Sequence, residues 1–185
     1  MRLFVAINFD KDIVDHLYRS TEILRENSMS ANISPRENLH LTLAFIGEVP
    51  SAKRAIDALQ EVDASPFSLT LKGYGEFGNG NICFAKTLPC KELKTLAETV
   101  REKLTSKGVA IDTKPFKPHI TLARQFESMP QFDKKIMDVS LSARSTRIKE
   151  ISLMRSDRIK GRLTYTEVFK KISNSHDLRL SRRLE

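Results

Sequence analysis

Two of the four histidines in this 185-residue chain stand in one short pattern, His40-Leu41-Thr42-Leu43 and His119-Ile120-Thr121-Leu122. Each pattern lies in an alternating apolar run, so it reads as a β-strand, and on a strand residues i and i+2 share a face. His40 and Thr42 then point one way while Leu39, Leu41, Leu43 and Phe45 point into a core. His119 and Thr121 likewise oppose Ile120 and Leu122. Two imidazole–hydroxyl pairs brought to one cleft suit cleavage of a phosphodiester without a metal. A neutral imidazole takes a proton from water, and a protonated one gives a proton to the departing sugar oxygen. Histidine fits both tasks because its ordinary pKa, about 6.5, leaves both forms available near neutrality. The Thr42 and Thr121 hydroxyls can donate to the non-bridging phosphate oxygens as charge builds there.

A zinc site is the nearest rival. Two histidines under-fill a tetrahedral shell, and neither strand carries Asp, Glu or Cys at ligand spacing. Cys83 and Cys90 flank Pro89 at a spacing unlike a zinc knuckle. No metal or other cofactor is expected. With only these two cysteines there is no disulfide framework, and a reducing cytoplasm is the expected setting. No apolar run approaches the length of a membrane helix, and the opening residues lack the pattern of a signal peptide.

The chain carries a formal charge of +8. Between Ser142 and Ile172, nine basic residues meet only Glu150, Asp157 and Glu167. This balance favours an anionic partner, whether nucleic acid, phosphate ester or acidic membrane. It names a partner class, not a reaction.

The elements that must position the histidines follow from periodicity. Leu3, Val5, Ile7 and Phe9 alternate as a strand. Asp10 can cap a helix bearing Ile13, Leu17, Ser20 and Leu24 on one face. Residues 27–38 read as a loop, and a short helix follows Pro50. Strands over 67–72 and 82–87 flank a turn that takes in Gly73, Gly75, Gly78 and Gly80. A helix through Leu93, Leu96, Val100 and Leu104 should end near Gly108. After Pro130, strands are expected around 139–143, 146–154 and 163–171. Hairpins interleaved with helices predict an α+β fold with antiparallel sheets. The repeated His-x-Thr-Leu pattern predicts two pseudo-symmetric lobes in one domain over 1–172, with 173–185 a flexible basic tail.

These motifs resemble those of the two-histidine (2H) phosphoesterases, in the branch of RNA 2′,3′-cyclic phosphodiesterases also called 2′-5′ RNA ligases. The similarity includes Met1-Arg2-Leu3-Phe4-Val5-Ala6-Ile7, the block from Asn38 to Val49, and the turn Phe77-Gly78-Asn79. It continues through the block from Pro115 to Arg124 and through Leu153-Met154-Arg155-Ser156 with Gly161 and Tyr165. Phe84 departs from the family, where tryptophan is common. The resemblance implies a bilobal fold facing a central cleft, with His40 as proton donor, His119 as proton acceptor and an RNA 2′-phosphate as product. It also places Arg124 as a phosphate ligand. Strict alternation opposes this, since it turns Arg124 to the face of Ile120, and only a strand end or bulge would bring it round. RNA ends or small cyclic-phosphate nucleotides are the implied substrates, acted on by a monomer with no obligate protein partner. Two alternatives stay open at this level: ATP-independent 2′-5′ joining of RNA, and a non-catalytic RNA-binding module.

Overall fold

The computed structural model describes residues 1–173. Nine strands form two antiparallel sheets. In the first, β3 (His40–Glu48), β1 (Arg2–Asn8), β8 (Glu150–Ile159) and β9 (Arg162–Ile172) lie side by side in that order. The second runs β2 (Ser28–Ile33), β6 (His119–Ser128), β5 (Ile82–Thr87), β4 (Phe67–Phe77) and β7 (Arg144–Ile148). Four α-helices complete the fold among the described residues: α1 (Lys11–Glu26), α2 (Lys53–Gln60), α3 (Lys91–Ser106) and α4 (Lys135–Ser140).

The chain laces the two sheets together. Helix α1 leaves β1 of the first sheet yet packs on β2 and β6 of the second. Helix α3 leaves β5 of the second sheet and packs on β3 of the first, beside α2. One apolar core therefore runs under both sheets, including Leu3, Val5, Ile7, Leu17, Leu41, Leu43, Leu104, Ile120 and Leu122. A smaller cluster of Phe4, Ala6 and Met154, with Phe45 and Tyr165 against it, covers the opposite face of the first sheet.

Local chemistry sets the ends of the two long helices. The Asp10 carboxylate accepts the Ile13 N–H at 3.1 Å and caps α1, satisfying one of the unpaired donors at a helix start. Helix α3 closes at Gly108, whose φ of +70° costs little without a Cβ. Its N–H reaches the Thr105 carbonyl at 2.9 Å and the Val109 N–H reaches that of Leu104 at 3.0 Å, the paired bonds of a Schellman stop.

Four expectations are corrected. Residues 28–33 are not loop but the edge strand β2; their polar pattern fits an edge, and pairing with β6 overrides weak strand propensity. Strand β4 continues through Gly73 and Gly75 to Phe77, so only Gly78 and Gly80 belong to the turn. The segment near Val139 is the helix α4, because Met137 and Leu141, four apart, are the residues buried while Val139 is 76% exposed. The expected strand 146–154 is two strands, β7 and β8, which change sheets at Lys149. The basic tail lies, from residue 174, outside the described residues. Cys83 is buried and Cys90 partly exposed, each a free thiol. No helix among the described residues is long and apolar enough to cross a membrane.

Candidate active site

Strand β3 lies at the edge of its sheet, against β6 of the other. Loops tie the two strands to each other's surroundings. The Asp112 N–H, in the segment leading to β6, donates to the Phe45 carbonyl of β3 at 2.9 Å. Ser34, in the segment leading to β3, bonds to β6 twice, through its N–H to the Leu122 carbonyl (2.9 Å) and its hydroxyl to that of Thr121 (2.8 Å).

Both strands bulge at the same point of the motif. Opposite β1, Val5 pairs with Ala44 and Ala6 with Thr42, leaving Leu43 as an extra residue. Opposite β5, Cys83 pairs with Ala123 and Phe84 with Thr121, leaving Leu122 as an extra residue. A bulge of one residue puts two consecutive side chains inward and reverses the alternation beyond it. Leu43 and Ala44 are accordingly both buried, as are Leu122 and Ala123. The residue after each pair turns back to the side of the histidine: Phe45 in the first lobe, Arg124 in the second. Phe45, expected in the main core, instead packs beside Phe4 on the cleft side. Arg124 is exposed and makes its charge felt at His40, His119 and Tyr165.

The imidazoles are held alike. His40 Nδ1 lies 2.7 Å from the Asn38 carbonyl and His119 Nδ1 lies 2.6 Å from that of Lys117. A carbonyl only accepts, so each Nδ1 carries the hydrogen and Nε2 carries the lone pair of the neutral ring. Aromatic rings fix both orientations. Phe4 and Tyr165 lie 5.0 and 5.2 Å from the His40 ring, and Phe77 and Phe84 lie 5.1 and 5.5 Å from that of His119. Asn38 ties this arrangement to the β8–β9 hairpin by donating to the Leu163 carbonyl at 2.9 Å, two residues before Tyr165.

One asymmetry separates the two rings. The Thr42 hydroxyl is 3.0 Å from His40 Nε2 and donates to it when the ring is neutral. His119 Nε2 and the Thr121 hydroxyl have no such partner among the described residues. Burial holds both imidazoles below the usual histidine range, and the positive charge of Arg124 adds to this at both. At His40 the charge of His119 presses in the same direction, so the two rings sense one another.

Periodicity did not point to the rings that frame the histidines, Phe4, Phe77, Phe84 and Tyr165, nor to Gly75. The family resemblance took in Phe4, Phe77 and Tyr165, and marked Phe84 as a departure, but assigned none of them to a histidine. Gly75 lies opposite Phe84 in the β4–β5 register. A Cβ there would sit 2.4 Å from one carbon of the Phe84 ring and 2.5 Å from the next. The missing side chain lets that ring lie across β4, stacked at 4.2 Å on Phe77 and edge-on to His119. Gly75→Ala is expected to push the ring off this seat, costing about 1–3 kcal/mol of stability by overpacking and lowering turnover. Thermal melts and steady-state rates on one preparation check both.

Arg155, another basic residue of the hairpin, is bound to the Asp157 carboxylate at 2.6 Å and is not available in the same way as Arg124. Among the described residues, no three His, Cys, Asp or Glu side chains gather as a metal ion would require.

Two antiparallel sheets laced together by their helices, each with one strand bearing the repeated histidine–threonine pattern, have the architecture of the two-histidine phosphoesterases. A family model described as the 2′-5′ RNA ligase superfamily matches residues 14–160, and the chain belongs to that family. It is 36% identical over 136 residues to an RNA 2′,3′-cyclic phosphodiesterase of Archaeoglobus fulgidus, spanning 71% of this chain and 76% of the relative. A protein of the same name from Escherichia coli is 30% identical over 170 residues, 89% of this chain and 92% of its own. Among solved structures, one from Thermus thermophilus superposes with a TM-score of 0.79 at 28% identity, covering 96% of this chain and all of that one. E. coli LigT in apo form gives 0.76 at 26% identity over 93% of this chain and 96% of its own, and LigT has also been crystallised with 3′-AMP.

Proposed function

We propose that the chain hydrolyses RNA 2′,3′-cyclic phosphate ends to 2′-phosphomonoesters without a metal, through residues 1–172 acting as one two-lobed domain. The observation that carries this reading is the pair of imidazoles on facing strands, each with Nδ1 spent on a main-chain carbonyl, so that proton transfer falls to Nε2. The name shared by the relatives supports the substrate.

The asymmetry at Nε2 supports the division of labour. The lone pair of His119 is unclaimed and is the better placed to take a proton from water. That of neutral His40 is occupied by the Thr42 hydroxyl, which makes it the poorer base. When His40 is protonated, Nε2 has no lone pair left to accept the Thr42 hydroxyl. The ring then carries an Nε2–H for the leaving group, and the Thr42 hydroxyl hydrogen is freed for a phosphate oxygen. Water attacks phosphorus as His119 takes its proton. The P–O3′ bond breaks, His40 protonates the 3′ oxygen, and the phosphate remains on the 2′ oxygen. Thr42, Thr121 and Arg124 donate to the non-bridging oxygens, where charge accumulates. Solvent exchange restores both rings.

A short RNA ending in a 2′,3′-cyclic phosphate, incubated with the protein and a chelator, is expected to gain one water and to end in a 2′-phosphate. Mass analysis and isomer-specific chromatography read both outcomes. A 3′-phosphate product would reverse the bond choice. Activity lost to the chelator and restored by a divalent ion would remove the metal-free mechanism. Joined, longer RNA would replace hydrolysis with ligation.

A further inference from the structure

The cleft face of β1 carries a cation that hydrolysis of the terminal phosphate does not use. Arg2, Phe4, Ala6 and Asn8 alternate with the core residues Leu3, Val5 and Ile7, so Arg2 stands on the same face as Phe4. The Arg2 guanidinium lies over the Phe45 ring, with Cζ 5.0 Å from its centroid. It has no carboxylate partner among the described residues. Its charge reaches the Tyr165 hydroxyl, as does that of Arg124 from the other lobe. The ring that supports Arg2 is the one the first-lobe bulge turned into the cleft, in the place that Arg124 holds in the second.

A guanidinium laid flat on an aromatic ring has one face covered and its N–H edges free, oriented at little entropic cost. Such a fork suits a phosphate. Arg2 is set back from the reacting position. Two residues along a strand advance about 7 Å, and Phe4, the next residue on this face, is the one whose ring contacts His40. That offset is of the order of one step along a single-stranded nucleic acid. At the other end of β1 an open hollow of about 410 Å³ also holds two cations, Lys11 and Arg36. Both are bound to the Asp15 carboxylate, so the Arg2 end offers the uncompensated charge.

We infer that Arg2, seated on Phe45, is a specificity-determining residue that binds the phosphodiester one nucleotide upstream of the reacting cyclic phosphate. This rests on the function proposed above and adds a preference within it: a terminal nucleotide joined to a neighbour is a better substrate than a lone nucleoside 2′,3′-cyclic phosphate.

The test compares a dinucleotide ending in a 2′,3′-cyclic phosphate with the corresponding nucleoside 2′,3′-cyclic monophosphate, for the full chain and for Arg2→Gln and Arg2→Lys. The unaltered chain is expected to favour the dinucleotide by about tenfold or more in kcat/KM, as one charge-assisted contact supplies. Arg2→Gln should bring the ratio near unity, with the change in KM for the dinucleotide. Arg2→Lys, which keeps the charge but loses the planar fork, should fall between. Equal losses on both substrates would mean that Arg2 only props Phe45 and would overturn the inference while leaving the proposed hydrolysis intact. An unchanged ratio would overturn it as well. Failure of the unaltered chain to hydrolyse either substrate would overturn both readings.

Discussion

Replacing His40 or His119 by alanine is expected to lower kcat for cyclic-phosphate hydrolysis by about 10²–10⁴, because each change removes one of two proton transfers. The double variant should be scarcely worse than the poorer single one, since a base without its acid partner, or the reverse, already leaves the step uncatalysed at one end. The fold should persist. Each ring is only half-buried and its one main-chain bond is to the carbonyl two residues before it, just ahead of its own strand. Circular dichroism and melting curves on the same samples separate lost chemistry from lost structure. Near-normal turnover by either variant with intact structure would dismiss the two-histidine mechanism, and the phosphate chemistry would have to be sought elsewhere on the chain.

Arg124→Met should lower kcat/KM by about 10–10², the range expected when a charge-assisted contact to phosphate is lost. A second effect distinguishes it from a general loosening of the site. The active form of the pair has one ring protonated and one neutral, and the rings titrate as a coupled unit. Burial and the Arg124 charge both hold them below the usual histidine range. The kcat/KM profile of the unaltered chain is therefore expected to be bell-shaped, with its maximum on the acid side of about 6.5. Taking away a neighbouring positive charge makes protonation easier at both rings, so the whole bell should move toward higher pH. A loss of activity with no movement of the bell would mean that Arg124 does not face the imidazoles.

The two strands that carry the histidines, the shared face of each imidazole and its threonine, and the long helices α1 and α3 were legible in the chain itself. Those features depend on near neighbours. Side-chain period, a capping Asp10 and a stopping Gly108 act within a few residues and leave their marks in order along the sequence. Strand β2 and helix α4 escape such a reading for the complementary reason. Ser28–Ile33 has weak local preference and becomes a strand by pairing with β6. The Val139 segment is decided by which apolar residues find a core, Met137 and Leu141 rather than Val139.

The same division runs through the site. The chemical types and their spacing were sufficient to select two histidines out of four and to ask for a bulge if Arg124 was to join them. Whether the bulge exists depends on which strand lies alongside and in what register, and a register is a property of two segments distant in sequence. Pairing with β1 and β5 turned Phe45 and Arg124 toward the cleft, laid Phe84 over the empty side of Gly75, and set Thr42 against one imidazole but left the other bare. The sequence thus determined which groups could do the chemistry. Only the tertiary structure decided which of them meet, because cross-strand register and the packing of distant rings are written nowhere in the local order of residues.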